Sequence, residues 1–222
     1  MIPALDEAAC VETAVASAAE AFEVLVVDGG SRDRTVELAR AAGATVLKAG
    51  RGRARQMNAG AGLARGEVLL FLHADSRLPE GFAREVLRLT GDGSHGWGRF
   101  DLELDGGGCM LSMVAWAVSL RSRLTRTPGG DQAIFVRRDL FERVGGYPDQ
   151  PLFEDMELAR RLRRLGPMAV PPGRVTSSAR RWQSAGLWPT IARMWMLRLL
   201  YLAGVSAERL ARFYPDLRRP DV

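Results

Sequence analysis

Cysteine and histidine are both scarce in this sequence, and their scarcity excludes several kinds of site. The two cysteines, Cys10 and Cys109, give neither a zinc-ligand spacing nor a disulfide framework, which suits a reducing compartment. Two histidines are too few for a histidine-rich metal site. The glycine fingerprint of dinucleotide-binding folds and the Walker lysine motif are missing as well. The sequence thus shows no structural zinc site and neither of these nucleotide-binding motifs.

Long apolar runs and a leader segment are also lacking. No uncharged apolar stretch reaches the roughly 20 residues that a membrane-spanning helix needs. Residues 1–7 have neither the basic start nor the apolar centre of a signal peptide, and they look like the tail of a strand whose beginning is missing. With 222 residues and 47% hydrophobic content, the chain can form one full domain with a small appendage. We predict a cytoplasmic protein, either free or associated with the inner face of the membrane.

Positive charge is present in modest excess, and nearly all of it is arginine. Lys+Arg 31 against Asp+Glu 26 gives a net charge of +5. Such an excess suits anionic small molecules, an acidic membrane surface or nucleic acid. Arginine forks onto phosphates and carboxylates. Nucleic acid is the weakest of the three, because aromatic and basic residues do not interleave along the chain.

Strand and helix patterns alternate along the first 90 residues. Apolar runs predict strands in "MIPAL", "EVLVVDGGS", "ATVLKAG" and "EVLLFLHADSRLPEG", and helices between them, the first from Asp6 to Ala21. This order predicts a parallel sheet covered by helices on both faces. The later predicted elements are a helix after Pro79, a strand in "GWGRFDLEL", a helix over Cys109 to Leu124, a strand after "TPGGDQ", a helix from about Glu154 to Gly166, a strand pair in "MAVPPGRVTSSARRW" and a helical C-terminal segment.

Two of the predicted strands end in carboxylates, where open parallel sheets bind ligands. Asp28 precedes two glycines, so it either accepts bonds from a base or ribose hydroxyl or caps the following helix. His73 and Asp75 stand two residues apart at the end of the fourth strand and project the same way. Asp75 either holds Mg²⁺ or Mn²⁺ on a ligand's diphosphate or bonds the backbone of the following turn.

Three further carboxylates and a basic helix start are candidates for chemistry. Glu154 and Asp155 open an amphipathic helix, where the helix dipole favours acids and where a carboxylate can also act as general base. Asp131 lies on a Gly-Gly loop, and we group it with the catalytic candidates. Arg53 and Gln56 lie at the start of a helix, which favours anions. Each of these residues also has an ordinary structural explanation.

Seven segments in one order carry a resemblance to a known family. They are "IPALDEA", "VVDGGSRDRT", "GRARQMNAGA", "LFLHADSRLP", "GGDQAIFVRRDLFERVGGYP", "FEDMELARRLRRLG" and "SARRW". Together they resemble glycosyltransferase family 2, in particular a small bacterial branch with "GGDQ" and a His-Ala-Asp form of the metal motif. The resemblance covers roughly residues 1–182.

The resemblance implies a GT-A fold, an α/β architecture with a Rossmann-like, mostly parallel sheet flanked by helices. Residues 1–182 would form the catalytic domain, with a nucleotide-binding half over about 1–90 and an acceptor half over about 91–182. Residues 183–222 would form a helical segment. The implied activity is an inverting transfer of sugar from a nucleotide-diphosphate sugar to an acceptor hydroxyl, with Mg²⁺ or Mn²⁺.

The resemblance also implies roles for individual residues. Asp155, beside Glu154, matches the catalytic base. Asp75 matches the metal ligand, while His73 replaces an aspartate of the family motif and would bind metal or phosphate. The residues that would contact the nucleotide or its diphosphate are Pro3, Leu5, Glu7, Asp28, Arg53, Gln56, Arg180, Arg181 and Trp182.

Some alternatives remain open at the level of sequence. The chain could be a catalytically silent binder of sugar nucleotides, or a nucleotidyltransferase of the same fold. The segment "GLWPTIARMWMLRLLYLAGVSAERLARFYP" either packs on the catalytic domain, forms a homodimer or lies on a membrane surface, which would suit a lipid-linked acceptor. The account depends on Asp28, Asp75, Asp131 and Asp155 meeting in one cleft above the sheet.

Overall fold

The computed structural model describes residues 1–91 and 93–214. In this part of the chain the strands are β1 (Ile2–Ala4), β2 (Leu25–Asp28), β3 (Thr45–Lys48), β4 (Val68–Phe71), β5 (Ser76–Arg77), β6 (Trp97–Gly98), β7 (Asp101–Leu104), β8 (Ile134–Arg137), β9 (Met168–Ala169) and β10 (Arg174–Ser177). The helices are α1 (Val11–Ser17), α2 (Thr35–Ala41), α3 (Arg53–Leu63), α4 (Phe82–Gly91), α5 (Cys109–Thr125), α6 (Arg138–Arg143), α7 (Glu154–Leu162), α8 (Arg180–Ala185), α9 (Leu187–Leu202) and α10 (Ala207–Ala211).

The first four strands form the parallel sheet that the sequence predicts. β2 pairs in parallel with β1 on one side and with β3 on the other. The backbone of Met1 continues the sheet to β4: its amino group donates to the Leu70 carbonyl at 2.6 Å, and its carbonyl accepts from Leu72 at 3.0 Å. Beyond β4 the strand order is β8, β6, β9.

One described strand of this main sheet runs against the others. β8 is antiparallel to both β4 and β6, whereas β6 and β9 are parallel. The sheet is therefore mostly parallel, as expected, with one reversed strand inserted at its centre. A second, smaller sheet has the order β5, β10, β7 and lies beside the end of β4.

Two sequence predictions about elements are wrong. The first helix begins at Val11 rather than Asp6, because the backbone N–H groups of residues 6–8 donate to side chains in the loop after β2 and at the start of α2, and are held outside a helix. The expected strand pair over 168–177 does not exist as a pair. β9 belongs to the main sheet and β10 to the small one.

The predicted strand over 97–104 is interrupted at Arg99, which is fully buried. Its guanidinium donates to the carbonyls of Phe100 and Ser119 and forms an ion pair with Asp101. Ser119 lies on α5, so this buried arginine ties the corner between β6 and β7 to that helix. A charged side chain at this depth must keep its partners, since an unpaired buried charge is strongly unfavourable.

Two hydrophobic clusters occupy the two faces of the main sheet. The larger contains α1 and α4 and includes Phe100 packed against Phe135, with ring centroids 5.9 Å apart. The other lies under α3, α6 and α7 and centres on Phe71, which contacts Phe141 and Tyr147. Burial on both faces leaves the carboxyl ends of the strands as the open edge of the sheet.

The C-terminal helices pack one face against the start of α7 and expose the other. Leu197 and Tyr201 of α9 join a small cluster around Phe153, whose ring lies 4.8 Å from that of Tyr201. The opposite face exposes Trp188, Trp195 and several other large apolar side chains. Within the described ranges, none of the helices is both long enough and apolar enough to cross a bilayer.

Candidate functional site

Two glycines bring three candidate side chains together. Gly129 and Gly130 begin a short turn that leads into β8. The Gly130 N–H donates to the Asp155 carboxylate. A Cβ atom at Gly130 would lie 2.6 Å from His73 Nε2, and a Cβ atom at Gly129 would lie 2.5 Å from Asp131 Oδ1. Any side chain at these two positions would displace His73 or Asp131, so close approach explains both glycines.

Asp75 lies in a second cluster, next to the first along the end of β4. The Arg180 guanidinium donates to Asp75 Oδ2 at 3.2 Å and to Glu7 Oε2 at 3.0 Å. Burial would lower the pKa of Arg180, but its bonds to Glu7 and Asp75 raise it. Arg180, from the last third of the chain, therefore bridges two carboxylates from its first half.

Arg53 connects the two clusters electrostatically. Its guanidinium pairs with Glu154 at 3.3 Å, and although burial opposes the charge, Glu154, Asp155 and Asp75 all raise the pKa of Arg53. Burial raises the pKa of Glu154, with Arg53 opposing that change. Glu154 is almost completely buried, so it serves as the partner of Arg53, while the neighbouring Asp155 is directed to the glycine turn.

His73, Asp131 and Asp155 thus meet around the glycine turn, and Asp75 lies two residues beyond His73 in contact with Arg180. That all four of Asp28, Asp75, Asp131 and Asp155 face one cleft stays a prediction.

The Asp28 side chain is 1% exposed and accepts from the N–H groups of Gly30 and Ser31 in its own loop. These bonds stay within the loop and do not cap α2, which begins at Thr35 and has no side-chain cap, so the capping role that the sequence left open is not found. The nucleoside role of Asp28 stays a prediction.

Gln56 is likewise engaged by the fold. Its side-chain amide donates to the carbonyls of Ala4 at 2.8 Å and Val27 at 2.7 Å, at the ends of β1 and β2. Pro3 and Leu5 are buried beside it, and Trp182 packs against the larger core cluster. The side chain of Arg181 lies outside the described residues. The roles of these residues toward a nucleotide stay predictions.

The side chains of the site fit a divalent cation in a limited way. The described residues contain no group of three histidine, cysteine or acidic side chains able to enclose a metal. Asp75 is nevertheless a partly exposed carboxylate at the end of a strand. Magnesium is commonly held by one or two carboxylates, with phosphates and waters completing its shell. The donor set therefore suits a cation that arrives together with a diphosphate.

The helix that carries Asp155 begins with a strained residue. Phe153 has φ of 63°, in the left-handed region that a bulky side chain disfavours by roughly 1–2 kcal/mol. The residue is buried and packs against Tyr201 of α9. Such strain persists only where the surroundings over-determine it. The C-terminal helix thus holds the start of α7, and with it the position of Asp155.

Sequence reasoning missed two arginines near this region, Arg121 of α5 and Arg198 of α9. Both bond to Thr127, just before the glycine turn. A signal was available: the sequence has no acidic residue over 106–130 or 158–207, although both stretches contain arginines. Such one-sided charge indicates a surface prepared for anions.

Comparison with known proteins agrees with this architecture. The family model described as Glycosyl transferase family 2 matches residues 1–96. Among solved structures, the chain is similar to a mannosyltransferase from Pyrobaculum calidifontis in complex with GDP-Man and Mn²⁺ (22% identity, TM-score 0.61, 80% of this chain and 55% of that one). No curated protein gives a significant match.

Two bacterial structures show the same fold. They are TarS 1-349 of S. aureus in complex with UDP-GlcNAc (16% identity, TM-score 0.62, 80% of this chain and 57% of that one) and glucosyl-3-phosphoglycerate synthase of Mycobacterium tuberculosis in complex with Mg²⁺ and UDP (21% identity, TM-score 0.55, 80% and 68%). The chain covers less than two thirds of the length of three of the solved structures that it resembles.

The mostly parallel sheet with one reversed strand is that of a GT-A protein, and the expected fold class is confirmed. More narrowly, the glycosyltransferase family 2 model matches residues 1–96, which confirms the resemblance at the level of the family, while the branch with the GGDQ and His-Ala-Asp motifs stays a prediction.

Proposed function

We propose that this protein is an inverting glycosyltransferase that moves a sugar from a nucleotide-diphosphate sugar to an acceptor hydroxyl. The observation that carries the proposal is the meeting of Asp155, from the second half of the chain, with His73, from the family-matched half, around Gly130. A base from one half thus faces the strand end at which the family-matched half would bind a donor.

The proposed reaction is a single displacement. Asp155 accepts the proton of the acceptor hydroxyl as its oxygen attacks the anomeric carbon from the face opposite the diphosphate. The carbon–oxygen bond to the diphosphate breaks, and its electron pair leaves with the nucleoside diphosphate. Base catalysis of this kind contributes about 10²–10⁴-fold.

Charge on the leaving diphosphate needs compensation. Arg53 and Arg180 both lie among the carboxylates of the site and would neutralise phosphate oxygens. A divalent cation, Mg²⁺ or Mn²⁺, would supply further positive charge when held by Asp75. In this structure Arg180 forms an ion pair with Asp75. Once a cation bound to Asp75 instead, the Arg180 guanidinium would shift toward the diphosphate.

The experiment is a screen of nucleotide sugars with Mn²⁺ present. Thermal stabilisation would identify the nucleotide and the sugar, and release of nucleoside diphosphate would report turnover. A nucleotidyltransferase would instead release pyrophosphate when it is given a nucleoside triphosphate and a sugar 1-phosphate, a mixture that is assayed separately. Binding without any release would indicate the silent binder. Absence of binding to every nucleotide sugar would contradict the proposal.

We also propose that the exposed face of α9 rests on the inner surface of the membrane and that the acceptor is lipid-linked. Trp188 and Trp195 are more than half exposed there, and the stretch 158–207 has arginines but no acid. Interfacial tryptophan with basic residues is typical of membrane-surface helices. Sedimentation with anionic vesicles tests this proposal, and a dimer in solution that hides both tryptophans would contradict it.

A further inference from the structure

Two arginines from different helices meet at one backbone carbonyl. Arg121 Nη1 donates to the Thr127 carbonyl oxygen at 3.2 Å, and Arg198 Nη2 approaches the same oxygen at 3.5 Å while donating to Thr127 Oγ1. Both side chains are half-buried. Two like charges are thus held together by a single neutral group, which does not compensate either of them.

The surroundings supply little negative charge to this pair. In the part of the chain that the structure describes, neither guanidinium pairs directly with a carboxylate. Asp131 and Asp155 act on Arg121, and Asp155 acts on Arg198, from a distance only. Burial and then the charge of Arg121 lower the pKa of Arg198. Helices α5 and α9 carry no acid of their own.

The pair lies beside the glycine turn. Thr127 stands two residues before Gly129, and the glycine turn bonds Asp155. An anion bound between the two forks would neutralise the pair and would lie next to the proposed base. Arginine binds phosphate and carboxylate groups through paired N–H bonds, and it does so best where water is partly excluded.

We propose that Arg121 and Arg198 form an anion subsite that holds a phosphate or carboxylate group of the acceptor, with the acceptor's hydroxyl at Asp155. The proposal rests on the glycosyl transfer proposed above, whose acceptor it narrows to molecules with an anionic group near the reacting hydroxyl.

Binding of glycerol 3-phosphate, measured by calorimetry without any donor, tests the subsite. Arg121→Gln and Arg198→Gln should each weaken binding by about tenfold or more, because each removes a charged hydrogen bond. Arg198→Lys keeps the charge but loses the paired N–H groups of the guanidinium, so its affinity should lie between those of the wild type and Arg198→Gln. Arg163→Gln is the matched control, since Arg163 donates to the carbonyl of Thr125, the last residue of α5, but is exposed, and it should bind like the wild type.

The donor's diphosphate is the main competitor for these arginines. Saturation with UDP or GDP and Mg²⁺ should leave glycerol 3-phosphate binding in place, since the two anions occupy different subsites. Competition between them would overturn the assignment to the acceptor. Equal binding by wild type and both glutamine variants, or equal loss in Arg163→Gln, would overturn the subsite itself. If Arg198→Gln unfolds at a lower temperature, Arg121→Gln decides.

A second arm distinguishes free from lipid-borne phosphate. Vesicles of phosphatidylcholine with phosphatidic acid are compared with glycerol 3-phosphate in solution, in wild type and in Arg121→Gln. Sensitivity to Arg121→Gln in either arm supports the subsite and identifies its source. If the wild type binds the anion through these arginines but transfers no sugar, the subsite is supported and the proposed function is refuted. Failure of the subsite and failure of the proposed function can therefore be told apart.

Discussion

The two halves of the molecule treat their polar side chains in opposite ways. In the first half, the Asp28 carboxylate accepts from N–H groups of its own loop, and the Gln56 amide donates to the backbones of two neighbouring strands. Both side chains therefore have hydrogen-bond partners before any ligand binds. In the second half, Arg121 and Arg198 share one carbonyl, and Phe153 is held in a strained conformation. These two side chains of the family-matched half are satisfied by the fold, whereas the two arginines and Phe153 of the second half keep uncompensated charge and strain.

This difference suggests where variation in function resides. A donor common to many enzymes can be bound by a preformed site, which needs no adjustment. An acceptor that differs between enzymes can be selected by charged side chains whose charge only the correct acceptor neutralises. The predictions below test this contrast, beginning with the largest expected effect.

Replacing the proposed base should have the largest effect on turnover. Asp155→Asn should reduce the rate of nucleoside diphosphate release by about 10²–10⁴-fold while leaving donor binding intact, because the base acts only on the acceptor. Glu157→Gln is the control: Glu157 lies on the same helix but pairs with Arg160 and Arg161 away from the site. Steady-state kinetics with calorimetry measures both quantities. Loss of donor binding in Asp155→Asn would contradict the proposal that the first half binds the donor and Asp155 acts only on the acceptor.

Asp75 should control the response to metal. Asp75→Asn should lower kcat/KM by roughly 10²-fold at saturating Mg²⁺, because the cation offsets several kcal/mol of charge on the leaving group. Titration of activity with Mg²⁺ measures the change. Asp105→Asn serves as control, since Asp105 forms an exposed ion pair with Arg77 nearby. If Asp75→Asn responds to Mg²⁺ like the wild type, Asp75 is not a metal ligand.

The buried ion pair that anchors α5 should dominate stability. Asp101→Asn should destabilise the protein by about 3 kcal/mol, because it leaves the fully buried Arg99 without its carboxylate. Burial raises the pKa of Asp101, but bonds from Arg123 and Arg99 outweigh it and lower the pKa overall. The contribution of the pair is therefore present above the unfolded pKa of about 4 and is lost as pH falls through the lower folded value.

Urea unfolding at neutral and at acidic pH measures this dependence. The wild type should lose more stability on acidification than Asp101→Asn. Asp139→Asn, which removes an exposed carboxylate paired with Arg137, should behave like the wild type at neutral pH. Equal stability of Asp101→Asn and wild type at neutral pH would show that Arg99 finds another partner.

The aromatic contact behind Asp155 should have a smaller effect on activity. Tyr201→Ala removes the ring that packs on strained Phe153, and we expect kcat to fall roughly tenfold as the start of α7 loosens. Trp195→Ala, on the exposed face of the same helix, should leave kcat in solution unchanged. An equal decrease in both variants would indicate a general loss of helix packing.

The smallest effect is expected at Gln56, in the family-matched half. Gln56→Ala should destabilise the protein by about 1–2 kcal/mol, since the carbonyl of Val27 loses its buried donor. Thermal unfolding without ligand measures this change. Asn58→Ala is the comparison within α3, where the side chain bonds the backbone of Tyr147 instead. A loss of nucleotide affinity in Gln56→Ala without a loss of stability would make Gln56 a binding residue rather than a structural one.

Much of the architecture could be predicted from local patterns. The alternation of apolar runs and helical segments in the first 90 residues predicts the parallel strands, and glycine or acidic residues mark where they end. The reversed direction of β8 has no local signal, because it depends on a pairing between residues 68–71 and 134–137. The start of the first predicted helix was missed for a similar reason, since Ser31, Asp33 and Thr35 hold its first residues in a loop.

The site could be predicted only where a motif carried it. The glycine turn, Asp75 and the Glu154–Asp155 pair stand out as short patterns, and the structure brings them together. Arg121 and Arg198 follow no motif, and their meeting depends on how α9 folds back onto the loop before the turn. Residue roles that require two distant helices are therefore beyond local sequence reasoning.

The most direct test is a crystal structure with Mg²⁺ and either UDP or GDP bound. We predict a cation coordinated by the Asp75 carboxylate at roughly 2 Å, the diphosphate against Arg53 and Arg180, and the Asp155 carboxylate facing the position of the sugar. A nucleotide bound elsewhere, or a diphosphate that Asp155 cannot face, would contradict the account.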